Sequence, residues 1–324
     1  MTDIFPGIPL IESPLFYAQK ASLGLTDEED RIATSLHEKG YAVFDFPDAQ
    51  LEARIDRIKH SLAPHYATNL ADPNSDKTVG ERRIQDAWSF DEDVHAIAVN
   101  QAVLDLLGKL YGRPAFPFQT LNFPVGTQQE AHSDSVHFSS LPERFMCGLW
   151  LAMEDIGPDA GPLFYYPGSH RWPIMTNGLI GRRDEGIKLG SAQDPYGPAW
   201  KAICDAYGAQ PEVLTARKGQ ALIWCANLLH GGSYQNNPKL TRWSQVTHYY
   251  FEDCIYYTPA FSDEALGRLD LRTPVAISDG KPRPSRHLGE IVAPPRPVTP
   301  DNKQTGSPAW RWIKRRLRKL LQPS

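Results

Sequence analysis

The sequence lacks any stretch near the roughly 18 apolar residues that a membrane-spanning helix needs. Cysteine is scarce: Cys147, Cys204, Cys225 and Cys254, with no C-x-x-C pair. That excludes a zinc ribbon or a disulfide scaffold and suits a reducing cytosol. Neither sign of charge dominates. The 34 Lys and Arg residues face 38 Asp and Glu, for a net charge of -4, so no nucleic-acid partner is expected. Met1–Phe16 has no basic segment followed by an apolar one, and it carries Asp3, Glu12 and three prolines. A secretory leader is therefore not expected, and the predicted location is cytoplasmic. No internal repeat is present.

What is present is the material of a folded core. Of 324 residues, 41% are hydrophobic and 10% aromatic, too many for a disordered chain. Residues 1–25 read as a proline-punctuated arm. Thr26 and Glu29 form a capping-box pattern, and the periodicity predicts a helix over 27–39 that stops at Gly40. Further helices are predicted near 48–62 and 92–111. From Phe116 onward the texture changes to short apolar or alternating runs between Gly/Pro turns. These are Phe116–Phe123, Ala131–Phe138, Phe145–Met153, Leu163–Tyr166, Ala221–Cys225 and Trp243–Phe251. Such a pattern predicts a mainly β barrel or jelly roll with helices packed outside it. The domain is expected to span 26–305, with a lid insertion at about 174–213 containing a helix near Trp200–Tyr207.

His132 and Asp134 are two apart on a predicted strand, so both can face one metal. His230 closes an apolar run read as a strand over Ala221–Leu229, before the turn Gly231-Gly232-Ser233. Two histidines and one carboxylate suit non-haem Fe(II) with open positions; catalytic zinc uses similar donors. Taken singly, His132-Ser-Asp134 also reads as a surface histidine near a turn aspartate. Arg242 and Ser244 share a face of the next strand. A guanidinium beside a hydroxyl suits a carboxylate, although Arg242 could equally pair with a surface acid.

The ordered set His132-Ser-Asp134, Gly161-Pro-Leu-Phe-Tyr-Tyr-Pro-Gly-Ser-His170, His230-Gly-Gly-Ser-Tyr-Gln-Asn236 and Arg242-Trp-Ser244 resembles the phytanoyl-CoA dioxygenase family, as does the strand Gly148-Leu-Trp150-Leu-Ala-Met-Glu154. The resemblance spans roughly Thr26 to Cys254. It implies a double-stranded β-helix and an Fe(II)- and 2-oxoglutarate-dependent oxygenase using O2. His132, Asp134 and His230 would then be the catalytic metal ligands. Arg242 and Ser244 would hold the distal carboxylate of 2-oxoglutarate, and Trp150 would wall that pocket. Gln119, Thr120 and Asn122 would approach the end near iron. In this family's wider superfamily, halogenases lack the carboxylate ligand, so Asp134 favours hydroxylation of a C–H, with release of succinate and CO2. Desaturation or epimerisation would use the same ligands. A non-catalytic jelly-roll binding protein and a zinc hydrolase are the competing classes. The hydrolase is disfavoured because no Glu flanks His132 or His230 in a metalloprotease pattern.

The remaining histidines are read more plainly. His137 is expected near substrate, His170 in a structural turn, and His248 facing inward or packed in the core. His37, His60, His65 and His95 are expected at the surface or in packing. Trp88, Trp172, Trp200 and Trp224 are expected in core or lid packing. The partner is expected to be a small molecule, lipid-like or glycan-type. Finally, Trp310–Ser324 holds six basic residues and no acid. Trp310, Ile313, Leu317, Leu320 and Leu321 fall on one helical stripe, which predicts peripheral contact with the inner membrane surface or packing on an acidic protein face.

Overall fold

The computed structural model describes residues 4–80, 82–183 and 191–292. The predicted C-terminal tail lies outside them, and among the described residues no helix is long and apolar enough to cross a membrane. The helices are α1 (Phe16–Lys20), α2 (Asp27–Lys39), α3 (Leu51–Leu62), α4 (Glu92–Ala98), α5 (Gln101–Tyr111) and α6 (Gly197–Tyr207). Six strands form the larger antiparallel sheet: β1 (Tyr41–Asp45), β2 (Ile84–Gln85), β3 (Ala115–Phe123), β5 (Met146–Ala152), β8 (Gln220–Cys225) and β10 (Ser244–Phe251). Their order is β1-β8-β5-β10-β3-β2. The smaller sheet is β7-β6-β9, from β6 (Leu163–Tyr165), β7 (Glu212–Leu214) and β9 (His230–Gly232). A separate pair joins β4 (Ser139–Leu141) to β11 (Ile255–Tyr257).

The two faces of the larger sheet do different work, because successive side chains alternate. On β10, Gln245 and Tyr249 point toward α4: Gln245 Nε2 donates to Val94 O at 3.2 Å and Tyr249 OH to Ala98 O at 3.2 Å. That face carries the main core, with Ile32, Leu36, Ile55, Leu107, Leu149 and Ile223 all buried. The opposite parity turns Trp150, Leu222 and Val246 toward Leu163, Tyr165 and Leu214 of the smaller sheet, in a second buried cluster. Two facing antiparallel sheets with helices outside the larger one give the jelly roll anticipated from the sequence.

The cap of α2 is as the sequence predicts. Thr26 Oγ1 accepts from Glu29 N at 3.3 Å, and Glu29 Oε2 accepts from Thr26 N at 2.8 Å. Gly40 ends the helix at φ 84°, and a Cβ there would lie 2.5 Å from His170 Nδ1. Only glycine meets both demands. Three expectations need correction. The helix predicted over 92–111 breaks at Val99, because Asn100 Oδ1 accepts from Val103 N at 3.1 Å and starts α5 as a new helix. The strand predicted over Ala131–Phe138 is a single bridge at His132 followed by a 3-10 turn, Asp134–Val136. The run Ala221–Leu229 ends as a strand at Cys225, and His230 opens β9 in the other sheet.

Candidate functional site

His132 and His230 sit opposite each other in that bridge. His132 N donates to His230 O at 2.8 Å, and His230 N donates to His132 O at 2.9 Å. Both imidazoles are oriented by carbonyls: Nδ1 of His132 lies 2.9 Å from Glu130 O, and Nδ1 of His230 lies 3.0 Å from Leu228 O. A carbonyl can only accept, so each Nδ1 carries a proton, and Nε2 is the ring atom each histidine can offer to a metal. Asp134 stands between them, with Oδ1 3.8 Å from His132 Nε2 and Oδ2 3.8 Å from His230 Nε2. One ligand atom from each of the three residues lies within 4.8 Å of the others, and all three are buried. Gln129 Nε2 also reaches His132 Nε2, at 3.2 Å; a metal there would replace that contact.

Asp134 shares a face with His132 through its turn and not through a strand. Ser133 Oγ and Ser135 Oγ both reach Asn227 Oδ1, at 3.2 and 3.0 Å. Asn227 Nδ2 in turn donates to Trp172 O at 2.8 Å. The Pro167-Gly168-Ser169-His170 turn thereby braces the loop that presents the aspartate. His170 itself is buried against α2, with Nε2 3.2 Å from His37 O.

Trp224 Nε1 donates to Asp134 Oδ2 at 2.7 Å, which leaves Oδ1 for a metal. The indole reaches the carboxylate because its neighbour across the ladder is Gly148; a Cβ there would lie 2.1 Å from Trp224 Cζ2. His248 Nε2 lies 3.6 Å from the same Oδ2, and its Nδ1 lies 2.9 Å from Gln119 Oε1. Burial alone would raise the Asp134 carboxyl, but the histidines around it hold it below the usual range. Burial, with His230 alongside, pushes His132 down to about 3, so its imidazole is neutral, as a ligand must be.

A cavity of about 250 Å³ opens above these residues. Gln119 lines it, as do His137 and His248. Thr120 and Asn122 do not. They occupy the alternate parity of β3, and Asn122 Nδ2 donates to Gln245 Oε1 at 3.2 Å on the helix side. The expected contacts from these two residues are thereby corrected. Arg242, Ser244 and Trp150 do not line the cavity themselves; Trp150 pairs across the ladder with Val246, which does, and Ser244 shares that strand's parity. Arg242 is 2% exposed, its Cζ is 5.7 Å from the Trp150 ring, and its Nε and Nη1 have no partner among the described residues. Ser244 Oγ and Trp150 Nε1 are likewise buried without a partner. Burial lowers Arg242 to about 10, and Glu154 only partly offsets it. Buried polar atoms left unpaired call for a polar ligand.

The sequence reading missed three contributors. Trp224 was assigned to packing, and its inward parity at the end of β8 is the only signal that could have found it. Gln129 and Gln193 carry no motif. Gln193 Oε1, just before α6, accepts from Gln129 Nε2 at 2.9 Å and lies 3.2 Å from His137 Nε2.

Comparison with known proteins bears on the family and the fold. The sequence model of the phytanoyl-CoA dioxygenase family (PhyH) matches residues 36–242. Among solved structures, the non-haem alpha-ketoglutarate-dependent carbocyclase SnoK from nogalamycin biosynthesis aligns with TM-score 0.53 and 16% identity, covering 80% of this chain and 93% of its own. The epimerase SnoN, solved with Fe3+, alpha-ketoglutarate and nogalamycin RO, aligns with TM-score 0.53 and 18% identity over 79% and 98% of the two chains. EctD from S. alaskensis, with 2-oxoglutarate and 5-hydroxyectoine, gives 0.52 and 17% over 82% and 86%. At these identities the likeness bears on the fold. No curated protein matches the sequence. The family match spans more than half of the chain, so the chain belongs to the phytanoyl-CoA dioxygenase family.

Proposed function

We propose that the protein is an Fe(II)- and 2-oxoglutarate-dependent oxygenase that hydroxylates an unactivated C–H of a small molecule. The observation that carries this reading is the buried convergence of His132 Nε2, Asp134 and His230 Nε2, with both Nδ1 atoms committed to carbonyls. Two imidazoles and one carboxylate are the donor set of non-haem iron with open positions. The unpaired Arg242 guanidinium, with the Ser244 hydroxyl and Trp150 Nε1 near it, fits the distal carboxylate of 2-oxoglutarate. When bound, iron and 2-oxoglutarate supply the oxidation: O2 is consumed, the keto acid becomes succinate and CO2, and a substrate C–H becomes C–OH.

The chain's own residues set the conditions. His132, Asp134 and His230 would hold the metal, and Trp224 would keep Asp134 turned toward it through Oδ2. His248, braced by Gln119, closes the same side of the carboxylate. Gln193 links the lid region to the cavity through Gln129 and His137, and so helps exclude water. Asp134 fills the third ligand position, which favours hydroxylation over halide transfer. The test is succinate release from 2-oxoglutarate across acyl-CoA, glycan, lipid and amino-acid candidates, with and without Fe(II) and O2. Turnover that needs neither iron nor 2-oxoglutarate would refute the proposal.

A further inference from the structure

We infer that the cavity takes a substrate bearing an anionic group, a carboxylate or a phosphate, and that Arg83 selects it; this rests on the oxygenase reading. β2 pairs with β3 so that Gln85 lies opposite Leu121, an inward residue that lines the cavity. Arg83, two residues earlier, shares that parity and also lines the cavity. Its neighbour Arg82 has a structural task. Arg82 Nη1 donates to Gly126 O and Thr127 O at 3.1 and 3.3 Å, and its Nη2 donates to Thr78 O at 3.2 Å. That anchoring fixes the start of the edge strand and holds Arg83 over the cavity. Arg83 itself makes no hydrogen bond or ion pair among the described residues.

The rest of the wall has the matching charge. Among the described residues Asp134 is the only carboxylate lining the cavity, and it is already engaged by Trp224 and the histidines. The other polar groups bring no negative charge: the amides of Gln85, Gln119, Gln129 and Gln193, the hydroxyls of Thr127 and Ser191, the histidines and the Trp224 indole. Among the described residues a cationic ligand finds no unengaged counter-charge here, whereas an anion finds an unengaged guanidinium. Arg83 is exposed at the rim, so the charged group stays at the mouth while the reacting carbon enters.

The test uses Fe(II)-loaded protein under nitrogen with saturating 2-oxoglutarate, so that Arg242 is already engaged. Calorimetry compares carboxylic acids with their methyl esters, and phosphomonoesters with their parent alcohols; the two arms separate the two anion types. The anionic members are expected to bind, and Arg83→Gln to weaken them roughly tenfold while leaving 2-oxoglutarate affinity unchanged. Arg83→Lys should retain part of the affinity. The inference is overturned if the neutral members bind as well, if no anion binds, or if Arg83→Gln leaves anion affinity intact. Failure of 2-oxoglutarate itself to bind the loaded wild-type protein would overturn the oxygenase reading, and this inference with it.

Discussion

Replacing Arg242 by Met should separate two properties that usually fall together. Methionine keeps an unbranched stem against Trp150 but removes the charge. In the ligand-free protein that charge is a burden: it is 2% exposed, two of its nitrogens lack partners, and burial lowers it from its ordinary value to about 10. A displacement of that size corresponds to about 3 kcal/mol against the charged form. Lost packing and the lost attraction to Glu154 work the other way. The expected result is a ligand-free Arg242→Met variant as stable as the wild type or more so, by up to about 2 kcal/mol. With 2-oxoglutarate the order reverses. A charge-assisted contact of about 1.5–3 kcal/mol is lost, so KM for 2-oxoglutarate should rise roughly 10- to 150-fold. Urea denaturation with and without 2-oxoglutarate, together with succinate-release kinetics, measures both effects. A variant several kcal/mol less stable in the absence of ligand would show that the guanidinium braces the fold. An unchanged KM would remove it from the co-substrate site.

Three further outcomes are expected. His132→Ala and His230→Ala should each abolish iron binding and turnover; full metal content in either variant would refute the ligand assignment. Trp224→Phe removes the 2.7 Å donor to Asp134 and should weaken Fe(II) binding roughly 10- to 100-fold, as read by anaerobic metal titration, and an unchanged affinity would refute the bracing role. Gly148→Ala places a Cβ 2.1 Å from Trp224 Cζ2; it should cost about 1–3 kcal/mol in urea denaturation and loosen iron as Trp224→Phe does. Normal stability with normal iron affinity would contradict the close approach.

The sequence made the β-strand texture legible because each run is short and bounded by turn residues. It made α2 legible because Thr26, Glu29 and Gly40 are local signals that tertiary packing did not need to override. It was silent on the break at Val99, where apolar periodicity runs through a boundary set only by the Asn100 cap. The ligand candidates could be named from motif order, yet the reason that His132 and Asp134 converge could not. The geometry comes from a turn held by Asn227, far along the chain. Thr120 and Asn122 were assigned beside Gln119 by proximity in sequence, but alternation along β3 sends them to the opposite face. Trp224 acts through one atom at the end of an otherwise ordinary core strand, and nothing in its sequence neighbourhood marks that atom.

The backbone bridge between His132 and His230 also has a consequence for how the chain can change over time. It closes a large loop of chain, and α6 and Gln193 fall between its ends. Because the two ends are joined at the candidate ligands His132 and His230, the length of what lies between them hardly affects the spacing of those two residues. Doubling such a loop costs only about 0.6 kcal/mol in closure entropy. Insertions and deletions between them are therefore expected to cost the candidate metal site little, while those near Ser191 and Gln193 would change the cavity lining. One half of the site can stay constant while the other is rewritten for a new substrate.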